Sequence, residues 1–399
     1  MKHLLNGIIF GVLLAVSADA RRQKVLNDAT YPGQPRVICE ECVPRERILA
    51  PGVGFDLASS YATVAIRYQN RTVVDVGRIE GLEEYNELIA RLGPPYVQYG
   101  YEYCSPSRFC LIIHRPPFDN VLDRLRWDLD QASRKWRKLR GLPSTTDIET
   151  FSNFLTRLEN FASRSLMFPA SRVAISLPDL PNLLREDWAE IVELSGLEAL
   201  KSYKNWGQPL NDLNAAWAGM GYGLCEHWRD IDACEEEEEL IVPRYALALS
   251  FTGDELSVHK TWVSNAHYTY SLVSANYRDL GYESWRSNPA NSTFWDSLGK
   301  AVADVATSEP QYAIQDLIIM GEYAEEKSFL DAIWKALGDV TDVQKLWQPL
   351  QVSGFSAEFV AARGAAELAK RWQGETWDCV EEDWCEDRGA EGGIGKEEI

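Results

Sequence analysis

Three runs of alternating apolar and polar residues lie close together in the first quarter of the chain. They cover residues 53–57, 61–68 and 72–79, and the polar break Gln69-Asn70-Arg71 separates the second run from the third. Alternation with a period of two is typical of strands that bury one face, and short polar breaks favour turns between them. The pattern therefore predicts a three-stranded meander.

Helical spacing follows the meander. The segments 82–92, 119–140, 148–166 and 182–195 repeat apolar residues at steps of three and four, which is typical of amphipathic helices. The clearest apolar stripe belongs to 119–140 and consists of Leu122, Leu125, Leu129, Ala132, Trp136 and Leu139. Three of the four segments are followed directly by a glycine, which predicts helix ends at Gly93, Gly141 and Gly196.

The same order of elements recurs later in the chain. A strand at 172–177 and a small-residue-rich helix at 211–224 end the first half. The second half predicts strands at 246–251, 256–263 and 317–320, and helices at 292–306, 325–337 and 357–372. Because a meander followed by helices occurs twice, the sequence favours an α/β fold of two duplicated lobes that face a cleft.

The first twenty residues have the pattern of a secretory leader. Lys2 and His3 precede an apolar run at 7–16, and the leader ends in Ala18-Asp19-Ala20, an A-x-A pattern. This predicts a signal peptide at 1–20 and a protein secreted through the endoplasmic reticulum. The sequence has no stretch of about eighteen apolar residues, so no membrane span is predicted.

Eight cysteines in a secreted chain favour disulfides. They lie in four close pairs, Cys39 with Cys42, Cys104 with Cys110, Cys225 with Cys234, and Cys379 with Cys385. Pairing between neighbours is the simplest connectivity, and bound zinc is the alternative. On the same reasoning, the sequons at Asn70 and Asn291 are glycosylation acceptors if they lie on the surface.

The charge of the chain limits its partners. The formal net charge is −20, which argues against nucleic acid and anionic membranes as partners. Residues 375–399 hold ten acids and two bases, and residues 235–239 form a second acidic run. Both runs are typical of solvated surface. A basic cluster at 134–140 suits the negative end of a helix dipole, and an anionic partner is the alternative interpretation.

Five stretches in a fixed order carry a resemblance to a known family. The first is Asp56-Leu57-Ala58-Ser59-Ser60-Tyr61-Ala62. The others are RVAISLPDLPNLLREDWAEIVELSGLEALKSY from residue 172, NDLNAAWAGMGYGL from 211, AVADVATSEPQYAIQDLIIMGEYAEEKSFLDAIWKAL from 301 and SAEFVAARGAAELAKR from 356. Together they resemble the nucleotide-binding domain of DnaK-type heat-shock chaperones, in the actin-like ATPase superfamily, over about residues 52–370. The resemblance implies two ribonuclease-H-like lobes around an ATP and magnesium site.

The resemblance places the nucleotide site on three loops. The first loop would be Asp56, Ala58, Ser59 and Ser60, where Ala58 replaces the family's glycine. The second loop, 250–257, keeps Gly253 as its one glycine; Ser250 replaces the family's acid, and Asp254 and Glu255 would repel phosphates. An ordinary hairpin turn at 252–255 is the preferred interpretation of that stretch.

The third loop and the connecting helix have also changed. In the third loop Gly321 remains, but Glu322 and Tyr323 replace the small residues that admit adenine. In the connecting helix Asp212 stands where the resembled family has an acidic residue. No counterpart of the family's peptide-binding domain is expected in this sequence.

The predicted order of segments is a signal peptide at 1–20, an extended segment at 21–51, lobe I at 52–224, an acidic linker at 225–243, lobe II at 244–374 and an acidic tail at 375–399.

Retained packing elements beside altered phosphate loops indicate a pseudo-enzyme. The leading hypothesis is a secreted, non-catalytic binding or interaction protein with a vestigial nucleotide site, no cofactor, and a protein or small molecule as its partner. The alternative is a weak ATP-binding protein or ATPase that uses ATP with magnesium. A third hypothesis, a glycan-binding protein or hydrolase, is motivated by the many acids and tryptophans, including Trp188, Trp206, Trp217 and Trp228.

Overall fold

The chain folds as a mixed α/β structure with two β-sheets. The computed structural model describes residues 45–93, 97–99, 121–200, 202, 205, 208–228, 231–338, 340–341, 345–346, 354 and 356–373. The strands are β1 (Gly52–Leu57), β2 (Tyr61–Arg67), β3 (Val73–Glu80), β4 (Val97–Tyr99), β5 (Arg172–Leu177), β6 (Glu198–Ala199), β7 (Leu210–Asn211), β8 (Arg244–Phe251), β9 (Leu256–Val263), β10 (Thr269–Tyr277) and β11 (Asp316–Met320).

The α-helices lie before the first strand, between the strands and after the last strand. They are α1 (Arg45–Leu49), α2 (Glu83–Leu92), α3 (Val121–Leu139), α4 (Thr146–Leu166), α5 (Arg185–Ser195), α6 (Asp212–Gly219), α7 (Ile231–Glu239), α8 (Tyr282–Ser287), α9 (Phe294–Thr307), α10 (Lys327–Leu337) and α11 (Val360–Trp372). Among the residues described, no helix is both long enough and apolar enough to cross a bilayer.

Four strands of each sheet share one order, while β6 and β7 pair with β5 in the first sheet and β4 pairs with β10 in the second. In the first sheet, β3, β2 and β1 form an antiparallel meander, and β5 then pairs with β1 in parallel. In the second sheet, β10, β9 and β8 form the meander, and β11 pairs with β8 in parallel. The chain thus builds the same arrangement twice, in agreement with the repeated order of its sequence patterns.

Among the described residues, three large apolar cores and one small alanine cluster hold the elements together. One lies between the first sheet and helices α2, α4 and α5, and another lies between the second sheet and helices α9 and α10. The third core contains α6 and α11 together with residues of β5, β8 and β11. Because this third core takes side chains from both sheets, it joins the two halves of the molecule.

Glycines allow α11 to lie close against β1. A Cβ atom at Gly54 would stand 2.2 Å from the backbone nitrogen of Ala366, and one at Gly52 would stand 2.3 Å from the carbonyl oxygen of the same residue. Real Cβ atoms do not approach other atoms this closely, so the contact requires glycine at both positions. Every residue of β1 is buried as a result.

Most of the elements predicted from sequence are confirmed. The first meander, the helices α2 to α5, the strands β5, β8, β9 and β11 and the three C-terminal helices all lie within a few residues of the predicted bounds. Gly196 ends α5 in the left-handed conformation, with φ of 73°. The strand β10 was missed, although its sequence TYSLVSANY is rich in residues that favour strands.

Three predicted segments need correction. The predicted helix 211–224 ends at Gly219, because Gly221 and Gly223 adopt positive φ and turn the chain. The predicted linker 225–243 contains the helix α7, in which Glu238 is buried. The segment 21–51, predicted as extended, contains the helix α1. Residues 21–44 of that segment, the signal peptide and the acidic tail lie outside the described residues.

Candidate functional site

The loops that the resemblance selects meet at the ends of strands from both sheets. Asp56, Ala58 and Ser59 from the turn between β1 and β2 line the same cavity as Ser250, Glu255 and Gly321 from the second sheet. Asp212, the first residue of α6, lines it as well. Parallel strands bring their carboxyl ends to one edge of a sheet, and such edges are common positions for ligand sites. The fold therefore gathers Asp56, Ala58, Ser59 and Gly321 at one cavity, whereas Ser60 and Gly253 do not line it and instead bond to Glu322.

Side-chain contacts close the space between the two loops. The Ser59 Oγ lies 3.0 Å from the Thr252 Oγ1, so the first loop bonds directly to the second. The turn at 252–255 is the ordinary hairpin predicted from sequence, with the Thr252 N–H donating to the Glu255 carbonyl at 3.0 Å. The loops thus contact each other where a nucleotide site would hold phosphates between them.

Glu322 fills the place between the loops. Its Oε1 accepts hydrogen bonds from the Gly253 N–H at 3.0 Å and the Ser60 hydroxyl at 3.4 Å, and its Oε2 lies 2.8 Å from the Arg78 guanidinium. The side chain is 7% exposed. Burial raises the pKa of Glu322, while the Gly253 N–H and Arg78 act to lower it. A backbone N–H, a hydroxyl and a guanidinium are donors that bind phosphate elsewhere, and here they bind a carboxylate of the same chain.

Tyr323 occupies the space beside this carboxylate. Its ring stacks on that of Tyr282, with 3.8 Å between the centroids and 9° between the planes. That these two residues fill a slot for adenine stays a prediction of the resemblance. Gly321 has a different explanation: its φ is 107°, and a Cβ there would lie 2.2 Å from the Phe251 carbonyl oxygen. Packing against β8 therefore requires glycine whether or not a nucleotide binds.

Ala58 does not strain the first loop. Arg71, Met167 and Glu309 are the non-glycine residues with positive φ among those described, so the turn is built without a positive φ at Ala58. The Ala58 N–H donates to the Tyr61 carbonyl at 2.9 Å, and the Tyr85 hydroxyl donates to the Ala58 carbonyl at 2.9 Å.

Two aspartates give the cavity its acidic character. Asp56 is 7% exposed, and its Oδ1 accepts a hydrogen bond from the Ser176 hydroxyl at 2.7 Å. Burial raises the pKa of Asp56 to about 7, against a smaller lowering by Ser176. Burial raises the pKa of Asp212 well above its usual range, and the charge of Asp56 acts in the same direction. At this pKa Asp56 exchanges protons near neutral pH, and both aspartates supply oxygen ligands of the kind that divalent cations prefer.

His259 also lines this cavity, which sequence reasoning missed. Its Nδ1 lies 2.9 Å from the Ser274 Oγ, and burial lowers the pKa of the imidazole to about 4, although Asp179 acts to raise it. The residue therefore stays neutral over most of the physiological pH range. The sequence could not place it, because its position depends on the pairing of β9 with the unpredicted strand β10.

The cavity does not fit a nucleotide in this conformation. Its volume is about 40 Å³, which is enough for a few water molecules. Pockets for small molecules usually have about 300–1,000 Å³. Glu322 takes the donors that would hold phosphate, and Ser250 stands where the family has an acid. The residues present therefore do not fit ATP with magnesium.

The predicted pair Cys225 and Cys234 forms a disulfide with a Cα–Cα distance of 5.1 Å. It ties α7 to the segment that follows α6. Glu238 is the third member of a buried cluster with these cysteines, but both sulfur atoms are bonded to each other and do not offer thiolates to a metal. The other six predicted disulfide cysteines, Cys39, Cys42, Cys104, Cys110, Cys379 and Cys385, lie outside the described residues.

Both sequons meet the surface condition of the glycosylation prediction. Asn70 and Asn291 are exposed. The Asn70 Oδ1 accepts from the Thr72 N–H at 3.1 Å, and the Asn291 Oδ1 accepts from the Thr293 N–H at 3.1 Å. Glycosylation itself stays a prediction.

Two of the tryptophans that motivated the glycan hypothesis belong to the core. Trp188 is 2% exposed and Trp217 is 3% exposed, so neither offers a ring to a sugar. Trp228 lies under the Arg371 guanidinium, and Trp206 is outside the described residues.

Comparison with known proteins adds no family. No protein-family model matches the chain, and no curated protein matches it either.

Proposed function

We propose that this protein is a secreted, non-catalytic relative of the actin-like ATPases, similar to the nucleotide-binding domain of heat-shock chaperones, and that it acts by binding a partner. Two features support this proposal. Four strands of each sheet follow the same order, which is what a duplicated two-lobed fold would have. The loops that would hold a nucleotide also converge at one cavity.

The contacts of Glu322 are the main support for the proposal that the protein is not catalytic. A phosphate entering between the loops would compete with a carboxylate that already accepts from Gly253 and Ser60 and pairs with Arg78. The remaining anions near the loop, Asp254 and Glu255, would repel it further. A protein that keeps the scaffold and fills the site from within serves as a binding or interaction protein rather than as an ATPase.

A thermal-shift titration with ATP and magnesium tests this proposal. Ligand at a hundred times its dissociation constant adds about 2.7 kcal/mol to the free energy of unfolding. We expect no change in the melting temperature of the full chain at millimolar nucleotide. A saturable upward shift that requires magnesium would contradict the proposal.

Weak ATP binding is the second candidate, and the two buried aspartates favour it. Asp56 and Asp212 face the cavity and could position a hydrated cation if the loops separated. The same titration on Glu322→Gly distinguishes the candidates. If ATP stabilises the variant and not the natural protein, the fold retains a nucleotide site that Glu322 blocks. If it stabilises both, weak ATP binding replaces our proposal.

A further inference from the structure

The helix α3 presents its apolar stripe to solvent. The exposed fractions are 65% for Leu122, 53% for Leu125, 63% for Leu129, 63% for Trp136 and 82% for Leu139. An amphipathic helix normally turns such a stripe toward the core. The sequence predicts this helix correctly, but its apolar side faces outward.

The polar side of α3 attaches the helix to the protein. Arg134 pairs with Asp187 of α5, and the Lys138 Nζ lies 2.7 Å from a carboxylate oxygen of Glu190. The Arg137 Nε donates to the Pro143 carbonyl at 2.7 Å. These contacts fix the rotation of the helix about its axis, so the outward direction of the stripe follows from them.

Basic residues border the exposed stripe. Arg124, Lys135 and Arg140 are exposed, and α3 as a whole holds six bases and three acids. This is a local excess of positive charge on a chain with a net charge of −20. The surface therefore suits an occupant that is both acidic and apolar.

The acidic tail of the same chain has this composition. Residues 375–399 carry ten acids and two bases. Trp377, Val380 and Trp384 lie within eight residues of one another, and the acids Asp378, Glu381, Glu382 and Asp383 lie between them in the sequence. The most acidic part of the chain thus has an apolar pattern that complements α3.

We propose that the tail segment 375–387 docks on the exposed stripe of α3, with Trp377 and Trp384 against its leucines and the tail acids beside its bases. The tail is long enough to do so. The 26 residues that follow Gln373 span up to about 85 Å when extended. A compact domain of this size is only about 50 Å across.

The charge of the protein favours this occupant over a lipid surface. An anionic membrane would attract α3 but repel the remainder of a chain with a net charge of −20. The bases of α3 attract the acidic tail as well, and the covalent link gives the tail a high effective concentration that offsets repulsion from the rest of the chain, which no separate membrane has.

Hydrogen exchange measured on the full chain tests the contact from both sides. Leu125→Gln with Leu129→Gln removes apolar contact and keeps a good helix former at exposed positions. We expect amides of the tail to exchange about tenfold faster in this variant, because docking protects them only while it is populated. Trp377→Ser with Trp384→Ser should speed exchange of the α3 amides in the same way, and high salt should do so in the natural protein.

Leu240→Gln is the matched control, because Leu240 is an 81% exposed leucine outside α3. It should leave both segments unchanged. Unchanged tail exchange in the α3 variant would overturn the proposal. So would flotation with equimolar phosphatidylcholine–phosphatidylglycerol vesicles that requires the α3 leucines, or a dimer in sedimentation velocity that requires them, since either result would assign the stripe to another occupant.

Discussion

Glu322 shows how one side chain can close a site. Its buried carboxylate is matched by three donors, whereas Glu80, another partner of Arg78, is 63% exposed. We expect Glu322→Gln to lower the free energy of unfolding by about 1–3 kcal/mol, because the neutral amide accepts more weakly from the Gly253 N–H and removes the most buried of the carboxylates that pair with Arg78. Urea unfolding measures the change.

Glu80→Gln is the control for that measurement, because it makes the same chemical change on the same arginine. An exposed ion pair contributes about 0–1 kcal/mol, so this variant should unfold nearly as the natural protein does. Equal losses in the two variants would show that the pairing with Arg78 alone matters and that enclosure of Glu322 does not.

Asp56 gives the stability a pH dependence of defined sign. Its pKa is about 7 in the folded protein and 3.8 in the unfolded reference, so its contribution is complete below about pH 3.8 and is lost as the pH rises through about 7. Asp56→Asn stays neutral throughout and keeps an oxygen for the Ser176 hydroxyl. The variant should therefore match the natural protein at low pH and become more stable than it toward pH 8.

Urea unfolding at a series of pH values checks this prediction. Asp279→Asn, at an exposed position, is the control and should not change the slope of stability against pH. A variant that is less stable than the natural protein at pH 8 would mean that the Asp56 charge is stabilised by a ligand or cation in the cavity.

At these positions the sequence indicates which residue types replace those of the resembled family, but it does not predict which atoms their side chains contact. The resemblance predicts that Glu322 and Tyr323 replace small residues, and the structure shows that Glu322 is buried and that Tyr323 stacks on Tyr282. The sequence does not indicate that the Glu322 carboxylate accepts from Gly253, 69 residues away in the chain. That bond depends on how β8 and β11 pair, which no local pattern encodes.

At the scale of elements, the crossing of α6 and α11 depends on two glycines. A Cβ at Gly364 would stand 1.7 Å from the Ala215 carbonyl oxygen, and one at Gly219 would stand 1.9 Å from the Val360 carbonyl oxygen. Gly364→Ala should destabilise the protein by about 3 kcal/mol, since the helices must separate to admit the methyl group. The melting temperature and urea midpoint measure the loss.

Gly299→Ala in α9 is the matched control. A Cβ there would lie 3.4 Å from the nearest atom, the Ala332 carbonyl oxygen, so little has to move. The higher helix propensity of alanine should raise stability by up to about 1 kcal/mol. If Gly364→Ala lowers the stability and Gly299→Ala raises it, then the close approach of the two helices, and not helix propensity, determines the effect of Gly364→Ala.

Helices were easier to predict than their orientation. Periodicity and end signals place α2, α4 and α5 correctly, because these signals are local. The apolar stripe of α3 is as clear as theirs, yet it faces solvent, because the ion pairs to α5 hold the opposite side. Those partners lie about fifty residues away, beyond the range of any periodic pattern.

At the scale of the whole molecule, the core that contains α6 and α11 links the two sheets. Ala174 of β5 and Ile318 of β11 are buried in this same cluster, with α11 residues such as Leu368. Ion pairs add to the link, since the Arg363 guanidinium binds Asp75 of β3 through two hydrogen bonds of 2.7 Å. If α11 separated from either sheet, apolar side chains of both sheets would be exposed to water, because all of them pack in this cluster.

We therefore expect the two sheets to unfold together, although chains of this size often divide into separate folding domains. Hydrogen exchange at increasing urea should give the amides of β1 and β5 the same opening free energy as those of β8 and β11. Gly364→Ala should lower both values by the same amount, since it acts on the shared helix. Earlier opening of β8 and β11 would contradict this prediction and would mean that α11 belongs energetically to the first sheet alone.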